Sequence, residues 1–233
     1  MKSTLKLKKP STNSVIVKKN SEIKKSEKSA IKKNPYFPNK YSTFRKNYKN
    51  YDVDMEISKS LMRFIYRYRF AKLFKSINYK DPKYIDKTLQ CYEACNGLFL
   101  AYTAFEAVRK AAILFELPTS FYESMEVDRI KADNFRRNEK FTSFISTIAK
   151  DKEQKELLNK FFRKNAPSND ILFVIYMIRN AFGHGSFTPR GCGLDKKHHI
   201  EDIEFLTESL LEHANDVFVV AVERCQQTLK VEH

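Results

Sequence analysis

The stretch Ile171-Leu172-Phe173-Val174-Ile175-Tyr176-Met177-Ile178-Arg179-Asn180-Ala181-Phe182-Gly183-His184-Gly185 decides the fold of this chain. Residues 171 to 178 are all apolar, so no face of the segment was written for water and burial on every side follows. A run of this length suits a core strand as well as a core helix, and Ile171, Val174, Ile175 and Ile178 are β-branched. The flanks favour a helix. Pro167-Ser168-Asn169-Asp170 supplies capping residues before the run, and Gly183 and Gly185 supply a C-terminal stop. The reading is a buried helix over about 170–183, with Arg179, Asn180 and His184 at its polar end.

Outward from this segment the pattern stays helical. Ile57, Leu61, Phe64, Tyr68 and Ala71 form a three-four stripe, as do Leu98, Ala101, Phe105, Val108, Ala112 and Phe115. A third stripe runs through Ile203, Leu206, Leu210, Ala214, Val217, Ala221 and Cys225. Gly97 is expected to interrupt the second region and Pro118 to end it, ahead of helices over about 128–149 and 151–164. Asp195 is placed to cap the last helix, whose first turns hold Glu201, Asp202 and Glu204 as the helix dipole prefers. No alternation marks a strand. The fold class expected is therefore all-α, an antiparallel bundle of about five to six helices.

Charge divides the chain into a tail and a body. Residues 1–50 hold fifteen Lys or Arg (fourteen Lys and Arg45) against Glu22 and Glu27, which accounts for nearly all of the formal +15. This segment is rich in Lys, Ser and Asn, contains Pro10, Pro35 and Pro38, and has no sustained period. It reads as a disordered basic tail preceding a helical domain at 51–233. The pairs Lys18-Lys19, Lys24-Lys25 and Lys32-Lys33 are candidates for binding a polyanion, whether RNA, DNA, a ribosome or an acidic membrane, and a solvated arm is the bland alternative. No window approaches the roughly 18 continuous apolar residues of a membrane span. The tail lacks the apolar core of a secretory signal, and Cys91, Cys95, Cys192 and Cys225 do not make a disulfide framework, so a reducing cytoplasm is expected.

Arg, Asn and His within six residues are chemically capable. Histidine titrates near neutrality, and arginine matches phosphate oxygens bidentately. On one helix Asn180 and His184 are four apart and share a face, whereas Arg179 and His184 are offset by roughly 140° and about 7.5 Å along the axis. Arg and His converge poorly within one copy. A second copy of the helix completes the site, which makes a homodimer with a shared cleft the natural geometry.

The R-N-x-x-x-H arrangement of Arg179, Asn180 and His184, closing a hydrophobic helix and followed by Gly185, resembles the signature of HEPN domains. The resemblance covers about eight residues in motif and the last two-thirds of the chain in architecture. It implies a dimeric helical bundle that cleaves RNA without metal or other cofactor, in a toxin–antitoxin or antiviral setting, with an antitoxin among the implied partners. By that resemblance His184 is general acid or base at the ribose 2′-hydroxyl or the leaving oxygen, Arg179 holds the scissile phosphate, and Asn180 positions either one. The products would be a 2′,3′-cyclic phosphate and a 5′-hydroxyl. Where related toxins often carry a tyrosine two residues after the histidine, this chain has Ser186.

Glu106 and Arg109 are spaced for an exposed ion pair, and the resemblance also makes Glu106 an auxiliary residue facing the active helix. The loop Gly185-Ser186-Phe187-Thr188-Pro189-Arg190-Gly191-Cys192-Gly193 must border any cleft that His184 lines, so Ser186 and Arg190 are auxiliary candidates. Arg63-Phe64-Ile65-Tyr66-Arg67-Tyr68-Arg69-Phe70 has the composition of a base-stacking, phosphate-neutralising segment, but on a helix it reads better as core aromatics with solvated arginines. Cys192, His198 and His199, with Cys91 or Cys95, make only a faint zinc pattern, and no metal is expected. His213 lies at a core edge. No Walker A loop, G-x-G-x-x-G, G-x-S-x-G or H-E-x-x-H is present. The rival reading is a noncatalytic HEPN-like module, or a helical interaction protein with a polyanion-binding tail.

Overall fold

The stripes at three- and four-residue spacing concentrate burial on three long helices, and these frame the molecule. A computed structural model of the chain describes residues 34–77, 87–149, 151–163, 170–186 and 197–229. Among these residues the regular elements are α1 (Tyr41–Asn47), α2 (Met55–Leu73), α3 (Lys87–Leu114), a 3-10 turn (Thr119–Phe121), α4 (Arg129–Arg137), α5 (Glu139–Ile148), α6 (Lys152–Phe161), α7 (Leu172–Gly183) and α8 (Lys197–Gln227). The described residues form no named strand, only the isolated bridges Tyr51 to Leu229 and Glu126 to Asp170. The class is all-α, as the periodicity predicts, but with eight α-helices among the described residues where an antiparallel bundle of about five to six is expected, because short helices split the middle of the chain. From Pro35 onward the chain is one compact unit.

Helix α3 is the central pillar, with α2, α7 and α8 packed on it. Its buried positions are rich in alanine (Ala94, Ala101, Ala104, Ala107, Ala111, Ala112), which lets neighbouring helices approach closely, while Leu98, Phe105 and Val108 fill the spaces between them. Lys110 meets Glu56 at 3.0 Å and Arg67 meets the Thr103 carbonyl at 2.9 Å, so α2 runs antiparallel to α3. Helix α8 runs parallel to α3, since Gly97 faces Thr207 and Phe105 faces His213. The long connection through α4–α7 makes that parallel pairing accessible. The third stripe is fully buried from Ile203 to Cys225, and Gly97, expected as a break, sits inside an uninterrupted α3.

Two boundaries differ from expectation. The helix predicted over 128–149 is two helices, because Asn138 leaves helical backbone and its side chain accepts from the Phe141 N–H, capping α5. The compact unit also starts before residue 51, at Pro35. Phe44 of α1 has no solvent exposure and packs edge-on against Phe218 at 5.8 Å between ring centroids. Around it, Asn39 donates its backbone N–H to Asn215 at 2.7 Å and Lys40 pairs with Glu223 at 2.8 Å. Phe37, Tyr41, Phe44 and Tyr48 recur at four, three and four residues, a helical period overshadowed by the surrounding lysines.

Among the described residues no helix is long and apolar enough to cross a membrane. Phe44→Ala is expected to cost about 3–5 kcal/mol, the usual range for deleting a buried phenylalanine, although it lies in the basic N-terminal fifth of the chain. Urea unfolding of the full chain measures this, and a loss below about 1 kcal/mol would mean that α1 is not part of the core.

Candidate functional site

The polar end of α7 is built by a helix stop. Asp170 anchors the other end, its carboxylate accepting from the Leu172 and Met125 N–H groups at 2.9 Å each. At the C-terminus the Gly185 N–H donates to the Phe182 carbonyl at 3.0 Å and the Ser186 N–H to the Ala181 carbonyl at 2.8 Å. This is a Schellman motif, with Gly185 at φ 63° taking the left-handed position that an L side chain would strain. His184 is the C-cap, with its backbone off the helix and its side chain exposed to solvent.

Arg179, one turn back, folds onto α3. Its guanidinium lies 5.0 Å from the Tyr102 ring centre and 5.6 Å from that of Phe99, and Nη2 is 3.4 Å from both carboxylate oxygens of Glu106. Nη1 donates to the Asn180 side-chain oxygen at 2.7 Å. Phe99, Tyr102 and Glu106 occupy one face of α3 at spacings of three and four, so a single helix face supplies both the aromatic walls and the carboxylate. The approach is tight, for a Cβ on Gly183 would stand 3.0 Å from Phe99. The Arg179 side chain keeps 23% of its surface open, and its Nε is buried with no hydrogen-bond partner among the described residues.

The neighbouring groups set the electrostatics. Burial, reinforced by the Glu106 carboxylate and opposed by Arg179, pushes the Tyr102 phenol up to about 12, so it stays neutral and serves as a wall and not as a base. Tyr176, 48% exposed and three residues before Arg179, stands 6.2 Å from Tyr102 and extends the aromatic surface outward. Sequence reasoning missed Phe99, Tyr102 and Tyr176. The spacing of Phe99 and Tyr102 from Glu106, and of Tyr176 from Arg179, was the available signal.

Of the predicted residues, the structure brings Arg179, Asn180 and Glu106 into contact and puts His184 beside them on the chain. Asn180 turns its side chain to Arg179. Glu106 and Arg109 do not pair with each other: Arg109 bonds Glu123, leaving Glu106 to Arg179. Ser186 is exposed and joins the site only through its backbone N–H. Arg190, Cys192, Asp195 and the tail lysines Lys18, Lys19, Lys24, Lys25, Lys32 and Lys33 lie outside the described residues. In the 63–70 segment Phe64 and Tyr68 are core residues and the arginines are exposed, as the helical reading has it, but Tyr66 and Phe70 are exposed as well.

Other candidates fall elsewhere. His199 is buried beside Phe141, and Cys91 and Cys95 are core residues of α3. Among the described residues no three His, Cys, Asp or Glu side chains are grouped to hold a metal ion. A groove of about 830 Å³ between α2, α3 and α8 includes Lys72, Lys75, Glu93, Glu201 and Glu208 in its lining but none of the candidate residues. The α7 site is an open face, and its chemistry, not concavity, singles it out. Compared with protein-family models, curated proteins and solved structures, the chain has no match.

His213 is a core-edge residue, its ring 5.6 Å from Phe105. Burial holds its imidazole below the ordinary 6.5, against the opposing pull of Asp216 and Asp170. The unfolded chain then binds this proton more readily than the folded one. Its contribution to stability is full above pH 6.5 and declines as pH falls through that value toward the lower folded pKa. Urea midpoints between about pH 8 and about pH 5 should show that decline, and His213→Gln should flatten it. An equally steep decline in the variant would assign the effect to other groups.

Proposed function

We propose that this chain is a HEPN-like ribonuclease that acts as a homodimer, without a metal cofactor, at the open end of α7. The observation that carries the reading is the Arg179 guanidinium, fixed by Glu106, Asn180 and two aromatic rings, next to a solvent-exposed His184. A rigid planar cation can grip a phosphodiester, and an exposed imidazole can move a proton near neutral pH. Cleavage proceeds by attack of the ribose 2′-oxygen on phosphorus. The 2′-hydroxyl proton leaves to a base, the bond to the 5′-oxygen breaks, and that oxygen gains a proton. His184 makes one of these transfers, and Arg179 offsets the charge growing on the phosphoryl oxygens.

The homodimer is the proposal's answer to a separation within one copy: Arg179 lies back against α3 while His184 caps the helix in solvent, and a two-fold pair can bring one copy's arginine toward the other's histidine. Glu106 positions Arg179, and Tyr176 offers a base an exposed ring. Cys91, Cys95 and Cys225 are buried and in no disulfide, which suits the cytoplasm. A toxin or antiviral role, with an antitoxin that masks the open face, completes the proposal. The second reading, a noncatalytic binding module, is favoured by one observation: the Glu106 carboxylate already occupies Arg179, so an incoming phosphate must compete with it.

Incubation of labelled RNA with wild-type chain and folded His184→Ala in excess EDTA tests the proposal. Cleavage by the wild type alone, leaving cyclic phosphate ends, is expected. Intact RNA in both lanes, across several substrates and with the dimer verified, would sink it. Glu106→Gln separates the two readings. If Glu106 positions the arginine for catalysis, kcat should fall about ten- to hundredfold. If it merely competes with phosphate, the variant should bind a nucleotide more tightly and no turnover should be lost.

A further inference from the structure

From Ile57 to Ile77 the chain carries Lys59, Arg63, Arg67, Arg69, Lys72 and Lys75, and no Asp or Glu. Helix α2 buries Ile57, Leu61, Phe64, Ile65 and Tyr68, which leaves Lys59, Arg63, Tyr66, Arg67 and Phe70 along the opposite face. Tyr66 is 62% exposed and Phe70 61%. Several cations are already committed: Lys72 to Glu208 at 3.6 Å, Arg69 to the face of the Phe37 ring at 4.9 Å, and Lys59 to a Glu56 that it shares with Lys110. Arg63 has no acidic partner among the described residues, and Arg67 spends one N–H on the Thr103 carbonyl. The face thus offers two large aromatic rings bracketed by two available guanidinium groups.

We infer that this face of α2 is a docking surface for single-stranded RNA, with Tyr66 and Phe70 stacking bases and Arg63 and Arg67 holding the phosphates between them. Four helical residues rise about 6 Å, well beyond the roughly 3.4 Å step of stacked bases. Two neighbouring bases cannot stay stacked on each other and also lie on both rings. The face therefore selects an unstacked strand over a duplex. Arg63, Arg67 and Phe70 line up at successive turns around Tyr66, so phosphate and base contacts alternate along one track. An anionic membrane surface fits less well, because the aliphatic side chains Met55 and Leu73 stand at opposite ends of the helix with cations and aromatics between them.

The track leads toward the α7 site. Arg67 bonds the Thr103 carbonyl on α3, and Glu106, which holds Arg179, lies one turn further on the same helix. A strand seated on α2 would thus reach the surface of α3 that presents Arg179. The choice of RNA over DNA rests on the ribonuclease reading. The docking surface does not.

The test uses the full chain carrying His184→Ala, so binding is read without cleavage, and a fluorescein-labelled oligouridylate of about twelve nucleotides, followed by anisotropy across a salt series. Tyr66→Ala and Phe70→Ala should each weaken binding roughly five- to 150-fold. Arg63→Gln with Arg67→Gln should lower the slope of log affinity against log salt by about 0.7 per lost phosphate. Both rings are exposed, so thermal melts should match the parent. Affinities within about twofold in all variants, with an unchanged slope, would overturn the inference. So would loss of binding to phosphatidylserine vesicles with RNA affinity intact, which would make α2 a membrane-facing helix. RNA bound through this face by a wild type that cleaves nothing would support the docking surface while removing the ribonuclease reading.

Discussion

Everything in this molecule hangs on the desolvation of α3. Its alanine-rich surface permits close approach, and α2, α7 and α8 take that surface from three sides. Because α2 and α7 run antiparallel to α3 while α8 runs parallel, the long middle segment must carry the chain back from the end of α3 to the start of α8. That segment contains α7. The helix bearing the candidate site is thus a wall of the core, and its polar end emerges where the core stops.

The site reflects competition between burial and charge. Arg179 lies too deep to be an ordinary surface cation and too open to be a core residue, and its partners divide the work. Two aromatic rings have their centres 5.0 and 5.6 Å from the guanidinium, while Asn180 takes Nη1 and Glu106 takes Nη2, leaving the buried Nε without a partner among the described residues. The contact to Glu106, at 3.4 Å with the carboxylate 40% exposed, leaves the arginine able to exchange that partner for another anion. His184 is treated oppositely. The Schellman turn ends helical backbone at that residue and leaves its ring in solvent, where it can exchange protons.

The same physics separates the two faces of α2. The inward face repeats the apolar period and is legible as core. The outward face carries exposed Tyr66 and Phe70, interleaved with Arg63 and Arg67, which pair with no carboxylate among the described residues. Composition alone merges the two faces, and helical phase pulls them apart.

The sequence by itself determined the helical class, the three core stripes and the polar end of α7, because each is written in the spacing of neighbouring residues along one helix. It also pointed to Arg179, Asn180 and His184 as a unit. Only the tertiary structure decided that Glu106 belongs to Arg179 and Arg109 to Glu123, since three-residue spacing allows a local pair but cannot weigh it against partners 73 and 14 residues away. It likewise decided that Phe99 and Tyr102 wall the arginine, and that residues from Pro35 join the body despite their lysines. Periodicity reports which face of a helix is buried; it does not report against what. That depends on how the helices cross, and the crossing is set by the whole core.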